Sequence, residues 1–150
     1  MHSRVFEIES KKGMMDGLEY DLPEWWRNYY SDYYEELDEE GVKDSMEKFL
    51  GWLDTEGDVI DFGGERARKN LADIYQKAKA KAKEFLSLSF EDFKEYKGID
   101  LVEELASIVN EKYGIWFYNP AEGEEICTLD EMLHRGGKYY LTGRVWDYHW

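Results

Sequence analysis

Trp25, Trp26, Tyr29, Tyr30, Tyr33 and Tyr34 crowd into one short stretch, and aromatic residues make up 17% of the 150-residue chain. Each ring carries a large apolar area that water penalises. A chain this aromatic, with 43% hydrophobic residues, folds around a core despite its charge. Its length suits a single domain with a sizeable interior, here read as one acidic domain over residues 1–150. The polar tips of Trp and Tyr also suit core boundaries and interfaces.

Charge sets the second constraint. The chain has 34 acidic and 19 basic residues, a formal net charge of −15. Such a surface repels nucleic acid and anionic membranes and attracts cationic partners, either basic proteins or metal ions. Direct nucleic-acid or membrane binding is therefore not expected. The one cysteine, Cys127, leaves no internal disulfide and fits a reducing cytoplasm. Residues 1–10 are charged throughout and lack the apolar centre of a signal peptide. No apolar run approaches the roughly 20 residues of a bilayer span. These readings place the protein in a cytoplasm.

Periodicity gives the elements. Val5 to Glu9 reads as an opening strand. Asp21-Leu22-Pro23-Glu24 reads as a helix start with the spacing of a capping box. The helix would carry Trp25, Trp26, Tyr29, Tyr30, Tyr33, Tyr34 and Leu37 over about half its circumference, mostly as core. Trp25 and Tyr34 would sit at the edges of that stripe. Asp44 to Glu47 reads as a second start, followed by Met46, Phe49, Leu50 and Leu53 at helical spacing. Val59, Ile60 and Phe62 suggest a short strand ended by Gly63-Gly64.

Glu65 to about Leu88 is the longest predicted helix, with a stripe of Ala67, Leu71, Ile74, Tyr75, Ala78, Ala82, Phe85 and Leu86. Ser89 caps a short helix with Phe90, Phe93 and Tyr96 that ends at Gly98. Asp100 opens a helix lined by Leu101, Val102, Leu105, Ile108, Val109 and Tyr113, which Gly114 stops. Ile115 to Tyr118 reads as a strand. Thr128 to Glu131 starts a last short helix closed by Gly136-Gly137, and Lys138 to Trp150 reads as strand or hairpin. The pattern is an α+β fold, mainly helical with about five to six helices. Its small sheet is built from N-terminal, middle and C-terminal strands.

The negative charge is uneven. Residues 1–62 hold 18 acidic and 6 basic side chains, whereas residues 63–99 hold 6 acidic and 9 basic ones. One dense run is Asp32, Glu35, Glu36, Asp38, Glu39 and Glu40, interleaved with Tyr33 and Tyr34. A second is Asp54, Glu56, Asp58 and Asp61. On a helix, carboxylates four residues apart lie about 6 Å apart along the axis. Such a row would offer an Arg-rich groove an imitation of a phosphate backbone, since Arg pairs with both by the same forked geometry. The plainer alternatives are helix caps and a solvated face. Yet like charges this close cost stability, and solubility needs a net charge of only about 2–8. We therefore take these acids, with Tyr34, as candidate partner-binding residues.

No motif identifies a reaction. Cys127 and His134 lie seven residues apart with no evident third partner, and Cys127 beside Ile126 reads as a buried apolar residue. His2, His134 and His149 lack zinc-ligand spacing, although His2 and His149 would meet if the terminal strands pair. Asp54, Glu56, Asp58 and Asp61 match a calcium loop only loosely, with Gly57 misplaced and Glu65 in the twelfth position. Gly63-Gly64-Glu65-Arg66 fits a plain turn better than a phosphate loop. Lys77, Lys79, Lys81 and Lys83 split to both sides of the apolar stripe, as a core edge would require rather than a nucleic-acid patch. Trp146, Tyr148 and Trp150 alternate onto one strand face, either covering the sheet or forming a contact. No catalytic residue, metal or cofactor is assigned.

In size, acidity and lack of a catalytic motif the chain is similar to antirestriction and anti-CRISPR proteins of phages and mobile elements. It is also similar to immunity proteins that neutralise nuclease toxins. That similarity implies an inhibitor or sequestering protein for a basic, nucleic-acid-binding enzyme, and it carries over no functional residue. The alternatives are a small enzyme using carboxylates or His134 and a structural or self-associating module, including a homo-oligomer. A deep pocket holding a perturbed acid would favour the enzyme.

Overall fold

A computed structural model describes residues 3–51, 53–95, 97–109 and 114–149. The readings made for His2, Tyr96, Tyr113 and Trp150 lie outside the described residues. The fold is α+β, with six α-helices and one seven-stranded sheet among the described residues. The chain forms two compact units, Met1–Arg68 with Tyr113–Trp150, and Lys69–Lys112.

In chain order the elements are β1 (Ser3–Glu9), α1 (Glu24–Tyr30), β2 (Tyr33–Glu36) and α2 (Glu39–Ser45), whose last turns widen into a π-helix over Met46–Leu50. There follow β3 (Asp54–Glu56), β4 (Val59–Asp61), α3 (Glu65–Leu86), α4 (Phe90–Lys94) and α5 (Lys97–Val109). Then come β5 (Ile115–Asn119), a 3-10 turn, β6 (Glu125–Thr128), α6 (Leu129–Arg135) and β7 (Lys138–His149).

The sheet belongs to the first unit and has the order β3-β4-β7-β1-β5-β6. The terminal strands pair antiparallel at its centre, with Val5 opposite Trp146, and β1 also runs parallel to β5. On its other side β7 takes β4 along its first half and β2 along its second, with Tyr34 opposite Tyr148. Side chains alternate between faces, and both faces of β1 are buried, which explains its unbroken burial from Val5 to Glu9. One face gathers Val5, Leu22, Trp26, Tyr118, Trp146 and Tyr148. There Trp26 meets Tyr148 edge-on at 4.9 Å. On the other face Phe6 stacks on Phe117, and Phe62 meets Phe117 edge-on at 4.8 Å. Trp146 and Tyr148 thus cover the sheet.

The structure corrects several boundaries. The predicted helix from Glu24 to Leu37 is two elements. Helix α1 stops at Tyr30, Ser31 is extended (φ −146°, ψ 123°), and Tyr33 to Glu36 forms a strand. Period-2 placement puts Tyr34 against the core and Tyr33 in water, and the hydrogen-bond ladder to β7 replaces further helix. Of the expected core stripe only Trp26 is buried, while Trp25 and Tyr29 stand 55% and 72% exposed. Asp21 does not cap α1. Pro23 precedes the helix, and the Asp21 carboxylate accepts from the neighbouring Leu22 N–H. The second helix starts at Asp38, whose carboxylate accepts from Gly41 N–H, rather than at Asp44. Helix α5 begins before Asp100, so Gly98 lies in its first turn, close against the Phe93 ring. Strands β2, β3 and β6 were not foreseen. Their residues are mostly charged or half-exposed, so no apolar run marks them.

The second unit comprises the rest of α3 with α4 and α5. Ser89 caps α4, as expected, and Asp92 completes a capping box with it. Of the α3 stripe only Ala67 is buried, whereas Tyr75 and Leu86 are exposed, so the stripe is not a continuous core contact. Within this unit Leu101 is the apolar side chain buried among the described residues. Lys81 bridges α3 to α5 through Glu104.

Candidate functional site

The two acidic runs singled out by sequence stay two groups, and the first, split between β2 and the start of α2, is not a helical row. Along β7, the β4 pairing ends at Tyr140 and the β2 pairing begins at Trp146, up to about 20 Å further on. The hairpin β3–β4 therefore holds its acids apart from those of β2 and α2.

In the first group, Glu36 is locked to Arg144 by two 2.8 Å hydrogen bonds, which hold its carboxyl below the usual range. Asp38 caps α2. Glu35 accepts from Tyr33 Oη at 2.8 Å. The Tyr34 hydroxyl accepts from Arg27 at 2.7 Å and donates to Asp21 at 3.1 Å, so it is engaged internally. Asp32, Glu39 and Glu40 are exposed and form no ion pair among the described residues. Trp25, Tyr29 and Tyr33, on α1 and β2, are all more than half exposed.

In the second group, Asp54 Oδ2 accepts from Ala67 N–H at 3.1 Å, satisfying the first turn of α3. Asp61 accepts from Gly63 N–H at 2.9 Å, and Asp58 pairs with Lys12 at 3.1 Å. Glu56 alone of the four is exposed without a described partner. Gly57 sits at the hairpin turn with φ 62°. This segment is a hairpin in which Asp54 and Asp61 serve the backbone. Gly63-Gly64 is the turn into α3.

A cleft of about 550 Å³ opens beside the β1–β7 pairing, under the loop that follows β1. Its floor holds Glu7, which is only 1% exposed. Thr142 Oγ1 donates to Glu7 at 2.7 Å, and Arg144 lies at 3.3 Å. Arg144 stands between Glu7 and Glu36, donates to Tyr20 O at 2.7 Å, and lies 4.7 Å from the Trp146 ring centre. Burial pushes the Glu7 carboxyl up, against the lowering pull of Thr142 and Arg144. Glu9 accepts from Gly13 N–H at 2.6 Å and Met15 N–H at 2.8 Å, fixing the loop that roofs the cleft. Sequence reading passed over Glu7, Thr142 and Arg144. Alternation of Glu7 and Glu9 with Phe6 and Ile8 marks a solvated face when one side of a sheet is wet, and here neither side is.

The remaining candidates resolve simply. Cys127 is buried on β6 and its thiol is pushed up to about 11 by desolvation, so it holds its proton at neutral pH. His134 is exposed on α6, its Nδ1 2.8 Å from Asp130 O. His149 pairs with Tyr33 across the sheet. Among the described residues no group of three His, Cys, Asp or Glu is placed to hold a metal ion, and no helix is long and apolar enough to cross a membrane. The chain matches no protein-family model, no curated protein and no solved structure.

Proposed function

We propose that the protein binds a basic, nucleic-acid-acting protein of the cytoplasm, as an inhibitor or sequestering partner, through the edge formed by β2 and the start of α2. The supporting observation is that Asp32, Glu39 and Glu40 form no ion pair among the described residues of a chain that pairs Glu36 and Asp58, and that Trp25 and Tyr29 on α1 and Tyr33 on β2 are more than half exposed. Exposed aromatics ringed by complementary charge are the usual make-up of an interface hot spot. The outer edge of β2 bonds to no other strand among the described residues, so its backbone groups are open to a partner. Any nucleic-acid imitation here comes from carboxylates that flank an edge strand and open a helix, not from a helical ladder.

The test begins with capture from lysate and elution by salt. Association of the captured partner is then followed by stopped flow. The triple variant Asp32→Lys, Glu39→Lys, Glu40→Lys is expected to slow association at least tenfold in low salt, the lower end of electrostatic steering. An unchanged rate would sink this reading.

One observation favours a second reading. The buried Glu7 lines a cleft, and a carboxyl whose hold on its proton is strengthened by burial is suited to general acid–base work. On this reading the cleft takes a small polar ligand. A thermal-shift screen of amines and sugars would find a compound whose stabilisation disappears in Glu7→Gln. A screen without such a compound counts against it.

A further inference from the structure

From the second unit we infer that the protein pairs with a second copy of itself through the face formed by the end of α3, α4 and the start of α5. The inference is independent of the acidic edge. Six large apolar side chains on these three helices, Tyr75, Leu86, Phe90, Phe93, Ile99 and Val102, are exposed, with Leu86 at 82% and Phe90 at 73%. Helices hold together in water mainly by burying an apolar face, not by intrinsic propensity. A unit of this size that buries one apolar side chain among its described residues lacks that support, and units near this size usually gain it by association.

Charge identifies the occupant. From Lys69 onward α3 carries five lysines against two acids, whereas the segment from Ser87 to Val109 carries six acids against two lysines. Lys69, Lys77 and Lys83 on α3 form no ion pair among the described residues, and neither do Asp100 and Glu103 on α5. An antiparallel two-fold arrangement lays the basic helix of each copy along the acidic helices of the other, and the match is made twice. The unit is close to neutral overall, unlike the rest of this chain, so two copies approach there without net repulsion. A strongly basic or strongly acidic partner has no such match to both halves of the face.

Sedimentation velocity of the full chain over a concentration series is expected to show the mass of two chains. Leu86→Glu combined with Phe90→Glu, both at exposed positions, is expected to return the mass of one chain. A wild-type protein that stays at single-chain mass up to its solubility limit overturns the inference, as does a dimer that survives the double substitution. Should the variant lose its helical signal, zero-length lysine–carboxylate cross-linking of a mixture of isotope-labelled and unlabelled wild type decides. Links between an α3 lysine of one copy and an α5 acid of the other sustain the inference, and links confined to single copies overturn it.

Discussion

Glu7 and Glu36 flank the same guanidinium, yet their environments drive their protons in opposite directions. Burial raises the Glu7 carboxyl above its ordinary 4.5, whereas the two hydrogen bonds from Arg144 lower Glu36. A carboxyl with a higher pKa in the folded chain binds its proton more tightly when folded. Its contribution to stability is complete below 4.5 and is lost as pH rises through the raised value. Glu7→Gln removes that titration while keeping an acceptor for Thr142. Denaturant unfolding from pH 4.5 to 7 should therefore show the variant gaining on wild type as pH rises. Glu36→Gln should do the reverse. Wild-type Glu36 stabilises above 4.5 and loses that contribution as pH falls through its lowered value, so the variant's deficit should shrink toward pH 3. Parallel pH profiles for the Glu7 variant and wild type would contradict the burial argument. Trp26, fully buried between Tyr148 and Trp116, is an apolar test of the same kind. Trp26→Ala is expected to cost about 3–5 kcal/mol in the same assay.

Elements announced by local chemistry were legible, and those defined by a distant partner were not. Ser89 and Thr128 declared their helices because a capping box is contained within four residues, and the structure shows both boxes complete. Strand β7 declared itself through alternating Tyr, Val and Trp. The stretch from Glu24 to Leu37 misled because spacing of three and four residues also serves a short helix followed by a strand, and only pairing with β7 decides between them. The cap of α3 is the clearest non-local case. Its acceptor, Asp54, lies on β3, thirteen residues before the Ala67 N–H it receives. From sequence Asp54 was one more acid in an acidic cluster. Asp54→Ala should lower stability by about 1 kcal/mol, as loss of a helix cap does, and should raise hydrogen exchange in the first turn of α3. Gly64→Ala should produce the same local exchange, because a Cβ there overlaps the Asp54 carboxylate. Unaltered exchange in both variants would show that the turn needs no such acceptor.

At the scale of the whole molecule, the net charge of −15 opposes compaction, and its distribution shows where that opposition is concentrated. The acids with structural partners are satisfied: Glu36 and Asp58 by cations, Asp38, Asp54 and Asp61 by backbone N–H groups. The candidate acids presented to water, among them Asp32 in one group and Glu56 in the other, form no ion pair among the described residues. If they are kept for a partner, relieving them should strengthen the fold and weaken the proposed binding. Asp32→Lys with Glu56→Lys isolates this trade, because neither residue lies in the first turn of a helix, where a carboxylate is favoured. The double variant should gain a few tenths of a kcal/mol in low salt, by easing the molecule's self-repulsion at two separate places. The gain should fade by about 0.1 M salt, where the screening length is about 10 Å. Wild type should show the complementary behaviour, its thermal midpoint rising as salt is added from a low starting value. A double variant no more stable than wild type in low salt would mean that these carboxylates sit too far apart, or too well solvated, to strain the molecule. Their excess would then need no partner to account for it.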